Sequence, residues 1–325
     1  MTLILSQRDV ESVLEMRDCM EVVEQAFLEM ANGTANLPLR TNITSPDGIS
    51  LYMPAYLEGM EALACKVVTV FKNNPEHYGL PVILGKVFLQ DPKTGDIICI
   101  MDGTYLTAVR TGAATGVATK YLAREDKHQT LGIIGTGAQA EMQIHAVIEA
   151  RDIGKVLIYD RSWDALTSFQ EETADRIPCD VIPVEHPDEI LEADIICTAT
   201  SSPIPVFDGS KVKPGTHING IGSHTPDARE LDTTIIQRSI LVGDSRDACF
   251  KEAGDIIIPL REGAIDESKF HAEIGEIVAG NKPGRTDAGA ITVFKSNGLA
   301  IQDAATAQLV YRKALENGIG ATIDI

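Results

Sequence analysis

Apolar positions along the chain change period three times, and the changes divide it into four stretches. From residue 7 to 32, Val10, Val13 and Leu14, then Val22, Val23, Ala26, Phe27 and Met30, recur at helical spacing, and Gly33 offers a stop. This predicts helix over 7–32. Between about 40 and 101 the pattern shortens to strand-like runs: "GISLYMP", "ALACKVVTVF", "VILGKVFLQD" and "DIICIMD". "DPKTGD" (91–96) between the last two reads as a hairpin turn. Then "DGTYLTAVRTGAATGVATKYLAR" (102–124) reads as a helix, capped by Asp102 or Thr104 and rich in small residues. Its glycines, Gly112 and Gly116, cost helix propensity, which tight packing or a nearby ligand would explain.

From 130 onward strands and helices alternate. "TLGIIG", "KVLIYD", "CDVIPV", "ADIICTAT", "GTHINGIG", "SILVGD" and "AITVFKS" are the strands, and helical patterns separate several of them. That rhythm predicts a doubly wound, Rossmann-type parallel sheet. A long helix, 298–318, follows. The fold class expected is therefore α/β: a parallel Rossmann-type sheet plus an α+β unit with a largely antiparallel sheet.

The loop after the first of these strands, "LGIIGTGAQA", carries Gly135-x-Gly137-x-x-Ala140, the dinucleotide fingerprint with alanine last. By itself the pattern is weak. Here it sits between a strand and a helix expected to start near Ala138, where free N–H groups favour a pyrophosphate. Asp160 ends the next strand, 25 residues beyond Gly135, where an acid would hold the adenosine ribose hydroxyls. An acid there favours NAD. The adjacent Arg161 keeps NADP as the alternative.

Composition narrows the field. The chain has 325 residues, 44% hydrophobic and 23% charged, enough for about two domains. Its net charge of -19 disfavours nucleic acid as a partner. The six cysteines have no zinc-ligand spacing, so no metal is expected and they read as reduced core residues of a cytoplasmic protein. No apolar run has the length of a membrane span, and the N-terminus lacks a basic region before its short apolar run.

Three cations lie in apolar surroundings in the first third: Arg40 in "LPLRTNI", Lys66 in "ALACKVVTV" and Arg110 in "LTAVRTGAATG". Taken singly, each could be a surface or structural residue. His217 in "GTHIN" reads as a strand residue holding backbone, and His224 as either a proton donor or a surface loop residue. Asp303 either pairs with a site cation or stabilises the first turn of its helix; the pattern favours the second.

These motifs, in this order, resemble the ornithine cyclodeaminase/mu-crystallin family, which includes an archaeal type of alanine dehydrogenase and several ketimine reductases. The matching stretches are "CKVV…NNPEHYGLP", "MDGTYLTAVRTGAATGVATKYLAR", "IIGTGAQA", "THINGIG", "PDARELD", "IGEIVAGNKPGR" and "SNGLAIQD". The resemblance implies that Arg40, Lys66 and Arg110 bind the substrate carboxylate, with Arg110 and Thr111 also near the cofactor phosphates. The expected cofactor contacts are these two with Gly135, Thr136, Gly137, Ala138, Gln139, Asp160, Arg161, Thr198, Ala199, Thr200, Ser201, Ile221, Gly222, Ser296 and Gly298. It also implies a homodimer, with residues 1–118 and 300–325 forming a substrate and dimerisation domain and 119–299 an NAD(P)-binding domain.

The chain departs from the cyclodeaminase pattern at two places. His224 stands where those enzymes carry an aspartate assigned to acid–base work, unless the loop is slipped so that Asp227 aligns instead. Leu51 stands where they carry a glutamate for the distal amine. The expectation is therefore an NAD(P)-dependent oxidoreductase acting at the C–N bond of a small amino or imino acid. Alanine dehydrogenase comes first and reduction of a cyclic ketimine such as pyrroline-2-carboxylate second. Ornithine cyclodeamination and non-catalytic binding of the mu-crystallin kind are further alternatives. Arg40, Lys66, Arg110 and His224 are the candidate catalytic residues.

Overall fold

A computed structural model describes residues 1–324. The chain forms two compact units, one of residues 1–111 and 299–325 and the other of 112–298. The division falls inside one helix, between Thr111 and Gly112, rather than after residue 118.

The chain opens with β1 (Thr2–Leu5), α1 (Gln7–Val13) and α2 (Met16–Ala31). The expected single helix over 7–32 is thus two. The apolar spacing explains the break: after Leu14 the next buried residue is Cys19, five positions on, which is off the helical face. Leu14 and Glu15 are extended, and Ser6 and Asp9 close a capping box at the start of α1. Then come β2 (Ala35–Asn36), β3 (Thr41–Ser45), β4 (Gly48–Leu57), β5 (Ala62–Val70), α3 (Asn74–Tyr78), β6 (Ile83–Gln90) and β7 (Ile97–Asp102). The β6–β7 turn is closed by Gly95 N–H donating to Asp91 O (2.8 Å) and Asp91 N–H to Asp96 O (2.9 Å). Helix α4 (Thr104–Leu122) begins where Asp102 accepts from the N–H groups of Thr104 and Tyr105.

The second unit carries β8 (Gln129–Ile134), α5 (Ala140–Ala150), β9 (Ile153–Tyr159), α6 (Trp163–Thr173), β10 (Asp180–Pro183), β11 (Ile195–Thr198) and β12 (His217–Gly220). It continues through α7 (Thr233–Arg238), β13 (Ser239–Gly243), α8 (Arg246–Glu252), α9 (Gly254–Arg261), β14 (Phe270–Glu273), α10 (Ile274–Val278) and β15 (Ile291–Lys295). Its eight strands run parallel in the order β10-β9-β8-β11-β12-β15-β13-β14. Successive connections from β8 run outward through β9 to β10, whereas β11 and β12 lie on the other side of β8. The order therefore reverses between β8 and β11, and the crevice at the carboxyl ends there is where such sheets bind ligands. Near-continuous apolar strands such as "LGII" and "IICT" match a sheet covered on both faces.

The chain then returns to the first unit as α11 (Ala300–Asn317) and β16 (Ala321–Ile323). That unit's sheet runs β16-β1-β7-β6-β5-β4-β2, with β3 also on β4. It is antiparallel except for the β1–β7 pair. Helix α11 packs across β4, β5 and β6 and against α2. This packing carries residues near position 300 onto the interior strand β5.

Candidate active site

In the first unit, Lys66 lies in β5 between Met53 of β4 and Val87 of β6 and is buried on the sheet face shared with Ala62 and Ala64. A lysine there needs an anion, and α11 supplies it. Lys66 Nζ is 2.9 Å from both carboxylate oxygens of Asp303. Arg110, buried in α4, donates from Nε to Asp303 Oδ1 (2.8 Å) and from Nη1 to Gln302 Oε1 (2.8 Å). Asp303 is thus the pivot of two buried cations, not merely a charge in the first turn of α11, where it also sits.

The cluster holds more positive than negative charge. Two cations face one carboxylate, and half-buried Arg40 adds its field to theirs. Burial first, then Arg110, pulls the Lys66 pKa down from 10.5 to about 8, while Asp303 pulls the other way. Such an excess of positive charge is complementary to one further anion. Gln302 is fully buried, and its Nε2 amide has no partner among the described residues, so it is a free donor beside Arg110. The Thr111 hydroxyl is turned to Thr107 O (2.7 Å). Leu51, in β4, is half-buried.

In the second unit, the loop after β8 has the shape the fingerprint requires. Gly135 has φ +101°, and a Cβ there would lie 2.7 Å from Ala199 O, so the loops after β8 and β11 touch at that point. Gly137 and Ala138 are exposed, and a Cβ on Gly137 would meet no atom within 4 Å, leaving room for a pyrophosphate against the loop. Helix α5 starts at Ala140 with Gln139 as N-cap, two residues later than the expected start. Asp160 follows β9. Its Oδ2 accepts from Thr136 N (2.9 Å) and Oγ1 (3.0 Å), and its Oδ1 from Ser162 N (2.9 Å). Arg161 is exposed. These residues fit a dinucleotide: open backbone at a helix start, and an acid oriented at the next strand's end.

The remaining expected contacts lie in loops at the carboxyl ends of β11, β12 and β15. Thr198 is fully buried with its hydroxyl on Glu230 Oε2 (3.0 Å), Ala199 and Thr200 are half-buried, and Ser201 is exposed. Ile221 is buried and Gly222 half-buried. Ser296 and Gly298 are held by fully buried Asp244, which accepts from Ser296 Oγ (3.3 Å) and the N–H groups of Asn297 (2.6 Å) and Gly298 (2.8 Å). His224 is exposed, with Nδ1 3.0 Å from Gly222 O. Asp227 is exposed and paired with Arg261 at 2.9 Å. His217 is fully buried between Thr292 and Asn219, and burial lowers its pKa to about 3, which keeps it neutral. It holds structure.

Sequence reading missed Gln302, Glu230, Asp244, Asp255 and Lys295. Each is a fully buried polar residue with at least one partner remote in the chain, and the one available signal was a charge beside an apolar run at Asp244, Asp255 and Lys295.

The first unit thus holds two buried cations on one carboxylate, and the second a glycine-rich loop at the point where its sheet order reverses. The chain matches the ornithine cyclodeaminase/mu-crystallin family over residues 1–318 and belongs to it. It is 39% identical to the Delta(1)-pyrroline-2-carboxylate reductase of Bacillus cereus over 99% of either chain. Among solved structures it resembles the Delta(1)-pyrroline-2-carboxylate reductase of Thermococcus litoralis in complex with NADH and L-proline. That identity is 49% and the TM-score 0.95, over 99% of this chain and all of the other. It also resembles an archaeal alanine dehydrogenase dimer with bound NAD, at 38% identity and TM-score 0.93, over 100% of this chain and 99% of that one.

Proposed function

We propose that this protein is an NADH-dependent reductase of a small cyclic ketimine carboxylate, with Δ1-pyrroline-2-carboxylate as substrate and proline as product. The observation that carries this reading is the buried cluster of Lys66 and Arg110 on Asp303, with one positive charge in excess, in a chain 49% identical to an enzyme solved with NADH and L-proline. Arg110, Lys66 and Arg40 bind the substrate carboxylate. Asp303 and Gln302 hold the Arg110 guanidinium from Nε and Nη1, which fixes its plane. NADH, when bound, supplies the hydride. Lys66 Nζ is the proton source for the imine nitrogen, which becomes the secondary amine of the product. A lysine with its pKa near 8 suits proton exchange close to neutrality better than one at 10.5. Asp160 receives the adenosine ribose, so NAD is preferred over NADP.

Alanine dehydrogenase is the second reading, supported by the likeness to the archaeal enzyme. Ornithine cyclodeamination fits less well, because His224 is exposed and Leu51 is apolar where a second substrate amine needs polar partners. A homodimer is supported by exposed apolar residues of the first unit, Leu39 (59%) and Ile43 (55%), and by the dimeric archaeal relative.

The deciding experiment follows NADH absorbance with pyrroline-2-carboxylate and, separately, with pyruvate, each with and without ammonium. Loss of NADH with the cyclic imine, one for one with proline and indifferent to ammonium, is expected. Faster ammonium-dependent loss with pyruvate would replace this reading by the second. Ammonia released from ornithine without NADH build-up would replace both by the cyclodeaminase.

A further inference from the structure

The second unit holds a buried charge network of its own. Glu230, Asp255 and Lys295 are all fully buried. The Glu230 carboxylate accepts five hydrogen bonds. Oε1 takes Thr200 N (2.7 Å) and Thr200 Oγ1 (2.8 Å), and Oε2 takes Gly222 N (2.6 Å), Ser223 N (3.3 Å) and Thr198 Oγ1 (3.0 Å). One side chain thereby joins the loop after β11 to the loop after β12. Lys295, at the end of β15, adds a third tie. Its Nζ lies 3.0 Å from Asp255 Oδ2 and donates to the carbonyls of Gly220 (3.2 Å) and Ser223 (2.6 Å). Asp255 Oδ1 in turn accepts from the N–H groups of Glu230 (2.7 Å) and Leu231 (2.8 Å), fixing the backbone that carries the glutamate. The loops are drawn so close that a Cβ on Gly222 would lie 2.0 Å from Thr200 O.

The sheet order says which half of a dinucleotide these loops serve. Asp160 follows β9, on one side of β8, and marks the adenosine side. β11 and β12 lie on the other side of β8, so their loops face the nicotinamide half. Burying two carboxylates and a lysine is costly unless every lone pair is used, and a packed apolar trio would join the same strands as well. The arrangement makes sense if the exact spacing of the two loops matters.

We propose that Glu230 is a positioning residue for the nicotinamide half of the cofactor, setting the spacing of the loops after β11 and β12 with Lys295 and Asp255 as its charge support. This rests on the NADH-dependent reading above. Replacing Glu230 by glutamine turns one acceptor oxygen into an NH2 that faces donors, and the loops must part.

The test is calorimetric titration of wild type and Glu230→Gln with NADH and with ADP, which carries only the adenosine side. The variant is expected to weaken NADH about tenfold or more, a loss on the scale of one hydrogen bond to a charged group, and to leave ADP within about twofold. Equal weakening of both ligands would mean a general loss of structure, and no change in either would mean no role; each overturns the proposal. Should the variant not fold, Thr198→Val removes a single donor and keeps the carboxylate. It is expected to weaken NADH alone by about threefold, with an unchanged or equal effect on both ligands again overturning the proposal. A wild-type protein that binds neither ligand would instead sink the cofactor reading beneath it.

Discussion

Replacing Lys66 by methionine tests whether a buried lysine is held at a cost in the free protein. Methionine keeps the length and apolar stem and removes the charge. In the wild type the folded-state pKa is about 8, below the ordinary 10.5, so between these values the unfolded chain binds a proton that the folded chain has released. Stability must then rise with pH across that window. Each pKa unit corresponds to about 1.4 kcal/mol, and integrating from pH 7 to pH 9.5 gives a gain of roughly 2 kcal/mol. The Lys66→Met protein lacks this gain, and all other titrating groups are common to both. Urea unfolding of the two proteins at pH 7 and pH 9.5, with no cofactor or substrate, isolates it. The wild type should gain about 2 kcal/mol on the variant between the two pH values. A difference that is the same at both would refute the claim that Lys66 is buried at a cost. A carboxylate ligand supplies the missing anion, so saturating L-proline should flatten the wild-type rise.

Other consequences can be checked separately. Because Lys66 must be charged to meet a carboxylate, kcat/KM for the imine should be level below pH about 8 and fall as pH rises through it; a profile level to pH 10 would remove Lys66 from that role. Asp303→Asn leaves Lys66 and Arg110 buried without their anion and should cost about 3–5 kcal/mol in chemical denaturation, whereas a loss below 1 kcal/mol would mean the pair is not held as described. Asp160→Ala frees Thr136 and removes the acid facing a 2′-phosphate, so the ratio of kcat/KM for NADPH to that for NADH should rise about tenfold or more; an unmoved ratio would place cofactor choice elsewhere.

Local pattern carried the reading wherever structure is made by neighbours in the chain. Strands β4 to β7, the Asp91–Asp96 turn and the β8–α5–β9 grip all followed from period and turn chemistry. The helix break at Leu14 was visible as a five-residue gap in the apolar face but is easily read through. Strand β14, "FHAE", is too short and polar to announce itself. The candidate site was half legible. Lys66 and Arg110 stood out as cations in apolar surroundings, but the residue that unites them is 193 positions from Arg110 and reads locally as an ordinary helix-start acid. Glu230 and Lys295 were hidden for the same reason. A buried charge is defined by partners, and nothing near it in the chain names them.

The return of α11 to the first unit sets an order of events during synthesis. Residues 1–111 emerge carrying Lys66 and Arg110, both buried in the finished fold, yet their anion, Asp303, is made only after the whole of 112–298. The second unit is contiguous and can close on itself while translation continues. The first cannot bury its two cations in balance until the last helix leaves the ribosome. A nascent chain halted before residue 303 should therefore hold its early sheet open, exposed to chaperones and proteases, beside a nucleotide-type fold already formed.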